Sequence, residues 1–225
     1  MTQWMLKKTA QAALGIFALG AAHAGTIDVL VLDKDGKPAP DAVVIIVPSA
    51  KGTAKRPPPM SAVVNQEKMQ FLPAVTVVSP GAKVRFVNND AWDHHVRMST
   101  PGVGFAGATN GADGYALRLE GRSEGKPPNS AEVTLDKPGV TGAALLGCFI
   151  HGSMSGNIYV AESSWAVKTG ADGVAILEDV PEGAATIKVW HPAQLAEKKP
   201  LPLTVGAAAA KMTVQLDVVP RRRRI

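Results

Sequence analysis

The chain has 225 residues, 46% apolar and 19% charged, which suits one or two packed domains and excludes a disordered, highly charged polypeptide. Its formal charge of +5 sits at the ends: without Lys7, Lys8 and Arg221 to Arg224 the balance falls to −1. A nearly neutral body argues against a nucleic-acid surface.

The first element in chain order is a targeting signal. Lys7 and Lys8 precede the apolar run Ala12-Ala13-Leu14-Gly15-Ile16-Phe17-Ala18-Leu19-Gly20, followed by Ala22-His23-Ala24. A basic start, a short apolar stretch and a small-x-small site describe a secretory signal peptide. The stretch is too short to span a bilayer comfortably. Residues 1–24 are therefore expected to be removed, leaving a periplasmic chain from Gly25 with no membrane span. The absence of a cysteine near the cleavage site argues against a lipid anchor.

Helix signals are nearly absent beyond this point. Short runs rich in Val, Ile and Thr recur between Gly, Pro, Asn and Asp, and they read as strands. The expected strands are Thr26–Leu32, Ala42–Val47, Ala74–Val78, Lys83–Asn88, Ala131–Leu135, Ala143–Cys148 and Gly156–Ala161. Val174–Leu177, Ala185–Trp190 and Met212–Val218 follow. This density of strands predicts an all-β sandwich or barrel.

Residues 25–50 contain the turn Asp33-Lys34-Asp35-Gly36-Lys37-Pro38 between apolar strands. Residues 51–59, with three consecutive prolines, read as an extended linker. Residues 60–162 hold every good metal ligand, 163–219 return to strands and turns, and 220–225 form a basic tail. The tail reads as solvated; docking to an acidic partner or an anionic surface is the sharper alternative. The run GTIDVLVLDKDGKPAPDAVVIIV resembles the opening of carboxypeptidase-regulatory-like β-sandwich domains, and TGADGVAILEDVPEGAATIKVW resembles their continuation. That resemblance implies a second small β-sandwich, formed by the N- and C-terminal segments around the inserted 60–162 domain; the alternative is that the N-terminal strands simply extend that domain.

The single cysteine excludes an internal disulfide, so in an oxidising compartment its thiol must be buried, joined to another chain or bound to something. It stands in Cys148-Phe149-Ile150-His151-Gly152-Ser153-Met154, where one loop after a buried strand offers a thiolate, an imidazole and a thioether. A second imidazole comes from Asn88-Asn89-Asp90-Ala91-Trp92-Asp93-His94-His95-Val96, after an alternating strand. Two histidines, a cysteine and a weak axial methionine form the ligand set of a blue-copper site, and the soft thiolate favours copper over magnesium or calcium. Zinc suits the same donors. Taken singly, Cys148 reads as a small buried hydrophobe and Met154 as a gap-filler. Their spacing with His151 is what argues for ligation. His191 reads as a strand-end histidine near the surface, and Trp92 and Trp165 as packing residues.

Residues 60–162 resemble a cupredoxin of the plastocyanin and amicyanin group. FLPAVTVVSPGAKVRFVNND is similar to the strand pair before that family's first copper histidine, and CFIHGSMSGNIYV to the segment that ends the domain. The Cys-x-x-His-x-x-Met spacing matches amicyanin's short ligand loop. The resemblance implies a Greek-key β-sandwich holding one type 1 copper ion on His94, Cys148, His151 and Met154. The family places Asn after its first histidine, where this chain has His95. Adjacent strand side chains point to opposite faces, which argues against both binding one ion; His94 is the favoured ligand and His95 the alternative.

The implied function is one-electron transfer between redox protein partners docking near His151, with Phe149, Ile150 and Phe105 as candidates for an apolar patch. The glycine-rich 100–129 segment reads either as a partner loop or as a plain surface insertion. Copper storage or delivery without a dedicated redox role is the alternative. A copper enzyme would need an open coordination position or a second metal centre, for which the sequence offers no second His-rich motif.

Overall fold

A computed structural model describes residues 24–99, 114–137, 144–194 and 196–220 of the protein. Residues 1–23 of the expected signal, Phe105 and the Arg221–Arg224 block lie outside these residues. The chain runs through β1 (Ala24–Leu32), β2 (Val43–Pro48), β3 (Ser61–Glu67), β4 (Gln70–Leu72), β5 (Val75–Val78) and β6 (Ala82–Asn88). Next come β7 (His94–Ser99), β8 (Gly114–Leu119), β9 (Ser130–Leu135), β10 (Ala144–Cys148) and β11 (Ser155–Val160). It ends with β12 (Trp165–Lys168), β13 (Val174–Pro181), β14 (Gly183–Trp190), β15 (Leu201–Val205) and β16 (Ala210–Gln215). The fold is all-β, and no helix among the described residues is long and apolar enough to cross a membrane.

Side-chain alternation decides which face each strand buries. In β6, Ala82, Val84, Phe86 and Asn88 point inward while Lys83 and Arg85 face solvent, as a half-buried strand requires. Two sheets, ordered β4-β3-β6-β9 and β5-β11-β10-β7-β8, supply one core around Val64, Phe71, Phe86, Leu146 and Ile158. Cys148 and Met154 belong to the same core.

Two other sheets, β13-β1-β16 and β12-β2-β14-β15, draw on both ends of the chain. β1 pairs antiparallel with β13, and β2 with β14, over Ala185↔Pro48 to Trp190↔Val43. Ile27, Val29, Val44, Ile46, Leu177 and Ile187 form their common core.

β2 explains why its sequence is a continuous apolar run rather than an alternating one. Val44 and Ile46 enter the core just described, whereas Val43 and Ile45 face the other way. There they meet Val75, Tyr159, Ala166 and Trp190 in a third cluster. A strand buried on both faces loses its polar positions.

Six strands depart from the expected set: β3, β4, β7, β8, β12 and β15. β4 and β12 are only three and four residues long, too short to show a period. β15 carries Pro202 and lies at a sheet edge, where proline costs no ladder hydrogen bond. β8 falls inside the 100–129 segment read as a partner loop or a surface insertion, and it forms the edge strand beside β7. The 51–59 segment has no regular structure, but it is tied down: Ala54 is buried, and Ser79 donates its N–H to Pro59 O at 3.0 Å. Arg56 and Lys55 pair with Glu178.

Two side chains differ from expectation. His191 is buried rather than near the surface, its Nε2 lying 3.2 Å from Pro40 O while Nδ1 accepts the Ala193 N–H at 3.1 Å. Trp92 is exposed, whereas Trp165 packs in the core as expected and donates Nε1–H to Glu178 O and Asp179 O.

Candidate metal centre

β6 and β10 end at one pole of their sandwich, and the residues that follow each end face one another. After Asn88 the chain makes a short loop and enters β7 at His94. β7 pairs with β10 so that Val96 lies opposite Cys148, which sets His94 two residues from the thiol's own register. Beyond Cys148 the loop returns at once to β11, closed by a Met154 N–H to His151 O hydrogen bond of 3.0 Å. Phe149 N–H donates to His95 O at 3.1 Å and stitches this loop to β7.

The three donors converge as a result. Cys148 Sγ is 3.7 Å from His94 Nδ1 and 3.5 Å from His151 Nδ1, and the two Nδ1 atoms are 3.1 Å apart. A point equidistant from three atoms at these separations lies about 2 Å from each, the length of a bond from a first-row metal to imidazole nitrogen. Two imidazole nitrogens this close also require a shared proton or a cation between them. The donor set therefore fits a soft transition metal. His94 and Cys148 are buried and His151 is half-buried, so the thiolate side is closed to water and the His151 side reaches the surface. Met154 is buried in the same core as Cys148.

His95 stays outside the cluster. It occupies the opposite face of β7 from His94, half-exposed, in register with Arg118 of β8. Its backbone carbonyl, rather than its ring, makes the cross-link to the ligand loop.

Sequence reasoning missed the residues that hold His94. Its Nε2 is 2.9 Å from Asp90 Oδ2, both side chains being buried. Asp90 also accepts the N–H groups of Lys68 and Met69 at 2.7 and 3.1 Å. Burial alone would push the Asp90 carboxyl up; the hydrogen bond to His94 and these two N–H groups outweigh it and hold the carboxyl below its usual value. Asn88 is fully buried and donates its amide to the carbonyls of Trp92, Leu119 and Glu120. The available signal was an Asn-Asn-Asp run ending four residues before His94. Asp93 closes the outer side, accepting the Gly121 N–H at 2.9 Å and pairing with Arg118 at 2.7 Å. The Gly121 bond and then Arg118 hold its carboxyl down.

Residues 58–161 match the family model of copper binding proteins of the plastocyanin/azurin family. This segment is a cupredoxin domain. Copper is its cofactor, as the donor chemistry indicates. Solved structures similar to the chain include an amicyanin from Paracoccus versutus, 21% identical, matched over 54% of this chain and 99% of that one with a TM-score of 0.34. A Sinorhizobium pseudoazurin is 28% identical over 46% of this chain and 76% of its own, with a TM-score of 0.32. A copper-containing nitrite reductase from Thermus scotoductus is 25% identical over 52% of this chain, with a TM-score of 0.34. The chain spans only 25% of the nitrite reductase's length. No curated protein is similar enough to the chain to count as a match.

Around the cupredoxin pole, Phe149, Ile150 and Trp92 are exposed, Phe149 to 67%. The Arg97 guanidinium lies 5.3 Å from the centre of the Phe149 ring, which restrains that ring.

Proposed function

We propose that the protein is an exported type 1 copper protein that carries single electrons between redox partners and is not itself an enzyme. His94, Cys148 and His151 are its equatorial ligands, and Met154 is the weak axial donor. The observation that carries this reading is the convergence of the three donor atoms within 4.8 Å of one another at a buried sandwich pole. Bound copper supplies a Cu(I)/Cu(II) couple, whose potential the axial donor and sulfur surroundings tune.

The chain's own residues set the terms of transfer. β7 and β10 are hydrogen-bonded neighbours, so His94 and Cys148 are held by backbone that does not need to move between redox states. Such rigidity suits transfer and disfavours metal delivery, which needs ligands that exchange easily. His151 lies in the loop with the exposed Phe149 and Ile150, and that exposure supports this face as the one where partners dock. We read residues 1–24 as the export signal and the periplasm as the destination. Residues 25–50 and 163–219 form an accessory sandwich around the cupredoxin domain, with 51–59 as the connection and 220–225 as the basic tail.

The test is a visible and EPR spectrum of the protein titrated with Cu(II), beside Cys148→Ser. An intense thiolate-to-copper band with small hyperfine splitting, absent from the variant, is expected. A colourless protein, or a weak band indifferent to Cys148, would remove the electron-carrier reading.

A further inference from the structure

We propose that Asp90 is a positioning residue of the copper centre: its carboxylate holds the Nε2 proton of His94, so that Nδ1 faces the metal and donates to it more strongly. The inference rests on the copper reading above and adds to it a residue that lies outside the ligand motif.

The Nε2 to Oδ2 distance is 2.9 Å, with His94 inaccessible to solvent and Asp90 nearly so. Water cannot compete for the proton there. An ionised acceptor makes a stronger hydrogen bond than a neutral one. Such a bond to a ligating histidine fixes its tautomer and ring orientation and raises its basicity.

The carboxylate is itself held from a separate strand pair. Lys68 and Met69 form the two-residue turn between β3 and β4, and both have left-handed backbones, with φ of 52° and 57°. Non-glycine residues adopt that conformation at a cost, and here it aims two consecutive N–H groups at one carboxylate, at 2.7 and 3.1 Å. From the other side, Asp90 N–H donates to Asn88 Oδ1 at 3.0 Å, and the Asn88 amide clasps three carbonyls. Asp90 cannot swing away without breaking these contacts. The position of His94 is thus referred to the β3–β4 turn as well as to β7.

A more basic His94 with an anion behind it favours Cu(II) over Cu(I) and lowers the reduction potential. Asp90→Asn keeps the shape and an acceptor oxygen but removes the charge. In the copper-loaded full-length chain we expect the blue band to persist and Cu(II) affinity to fall about tenfold with Cu(I) affinity little changed, against the 10- to 100-fold usual for such partners. For a one-electron couple that tenfold change raises the potential by about 59 mV. A residue that only stabilised the loop would weaken both oxidation states together and leave the potential unmoved, which would overturn the proposal.

A second measurement needs no variant. In the zinc-loaded wild type, nitrogen-15 NMR of the histidines is expected to show a slowly exchanging proton on His94 Nε2; an unprotonated Nε2 would overturn the proposal even if Asp90→Asn does not fold. A wild-type chain that takes up neither metal overturns the copper reading and this inference with it. A loaded wild type whose potential is unchanged in Asp90→Asn overturns only the role of Asp90.

Discussion

Gly121 has no room for a side chain. A Cβ there would lie 2.3 Å from Ala91 O and 2.9 Å from Trp92 Cα, within the loop that leads to His94. Its N–H is bound to Asp93, so the segment cannot simply retreat. Gly121→Ala should cost about 1–3 kcal/mol, as forced overpacking does, and should broaden the copper EPR signal by moving the His94 loop. Gly125→Ala, where nothing lies within 4 Å of the added carbon, should leave the signal unchanged and lose stability only through its positive φ. Gln66 gives a contrasting case. It is fully buried, neighbours Asn88 across the β3–β6 ladder, and its amide has no hydrogen-bond partner among the described residues. Gln66→Met should raise stability by about 1 kcal/mol in chemical denaturation, because it removes an unpaired polar group at similar volume.

At the scale of the element, the loop between β10 and β11 has two jobs that can be separated. Its backbone anchors, Phe149 N–H to His95 O and Met154 N–H to His151 O, set the course of the chain through Cys148, His151 and Met154. Its outward side chains, Phe149 and Ile150, contribute to neither bond. Phe149→Ser with Ile150→Ser should slow electron exchange with a redox partner at least tenfold while the visible spectrum stays as it was. A changed spectrum with unaltered exchange would contradict that division. β2 shows an element constrained on both sides. Ile45→Ala and Ile46→Ala open cavities in different cores, and each should cost about 2–5 kcal/mol, while Ile176→Ala, at an exposed site, should be nearly silent.

At the scale of the whole molecule, the cluster of Val43, Ile45, Val75, Tyr159, Ala166 and Trp190 joins strands of the cupredoxin domain to strands of the flanking sheets. Tyr159 and Trp190 are its largest members, with ring centres 5.2 Å apart. Burial, then the neighbouring Glu162, pushes the Tyr159 hydroxyl far above its usual pKa, so it stays protonated and donates to Glu162 at 2.8 Å. Lys188 pairs with Glu162 and Glu197 over the same cluster. This joint should make the chain unfold in one thermal transition, and copper loading should raise its midpoint for all strands together. Trp190→Ala should cost about 3–5 kcal/mol and split the transition in two, only the cupredoxin half responding to metal. Calorimetry of the apo and loaded proteins checks both points.

The sequence by itself determined the all-β class, ten of the strands to within a few residues, and the thiolate loop. These rest on local patterns: alternation over a few residues, turn residues at fixed offsets, and three candidate ligand residues spaced within seven positions of one chain segment. Short or proline-bearing strands such as β4, β12 and β15 escaped because their pairing comes from neighbours rather than from their own period. The resemblance already pointed to His94 rather than His95; the tertiary structure supplied the reason, the register of β7 against β10 that sets His94 beside Cys148 and His151. It alone brought Asp90 between the Lys68–Met69 turn and His94, because a hydrogen bond across twenty-odd residues leaves no periodic trace in the chain. And it alone showed why β2 is apolar on both faces: the second face has its partners in β5, β11, β12 and β14, strands far from β2 in the chain.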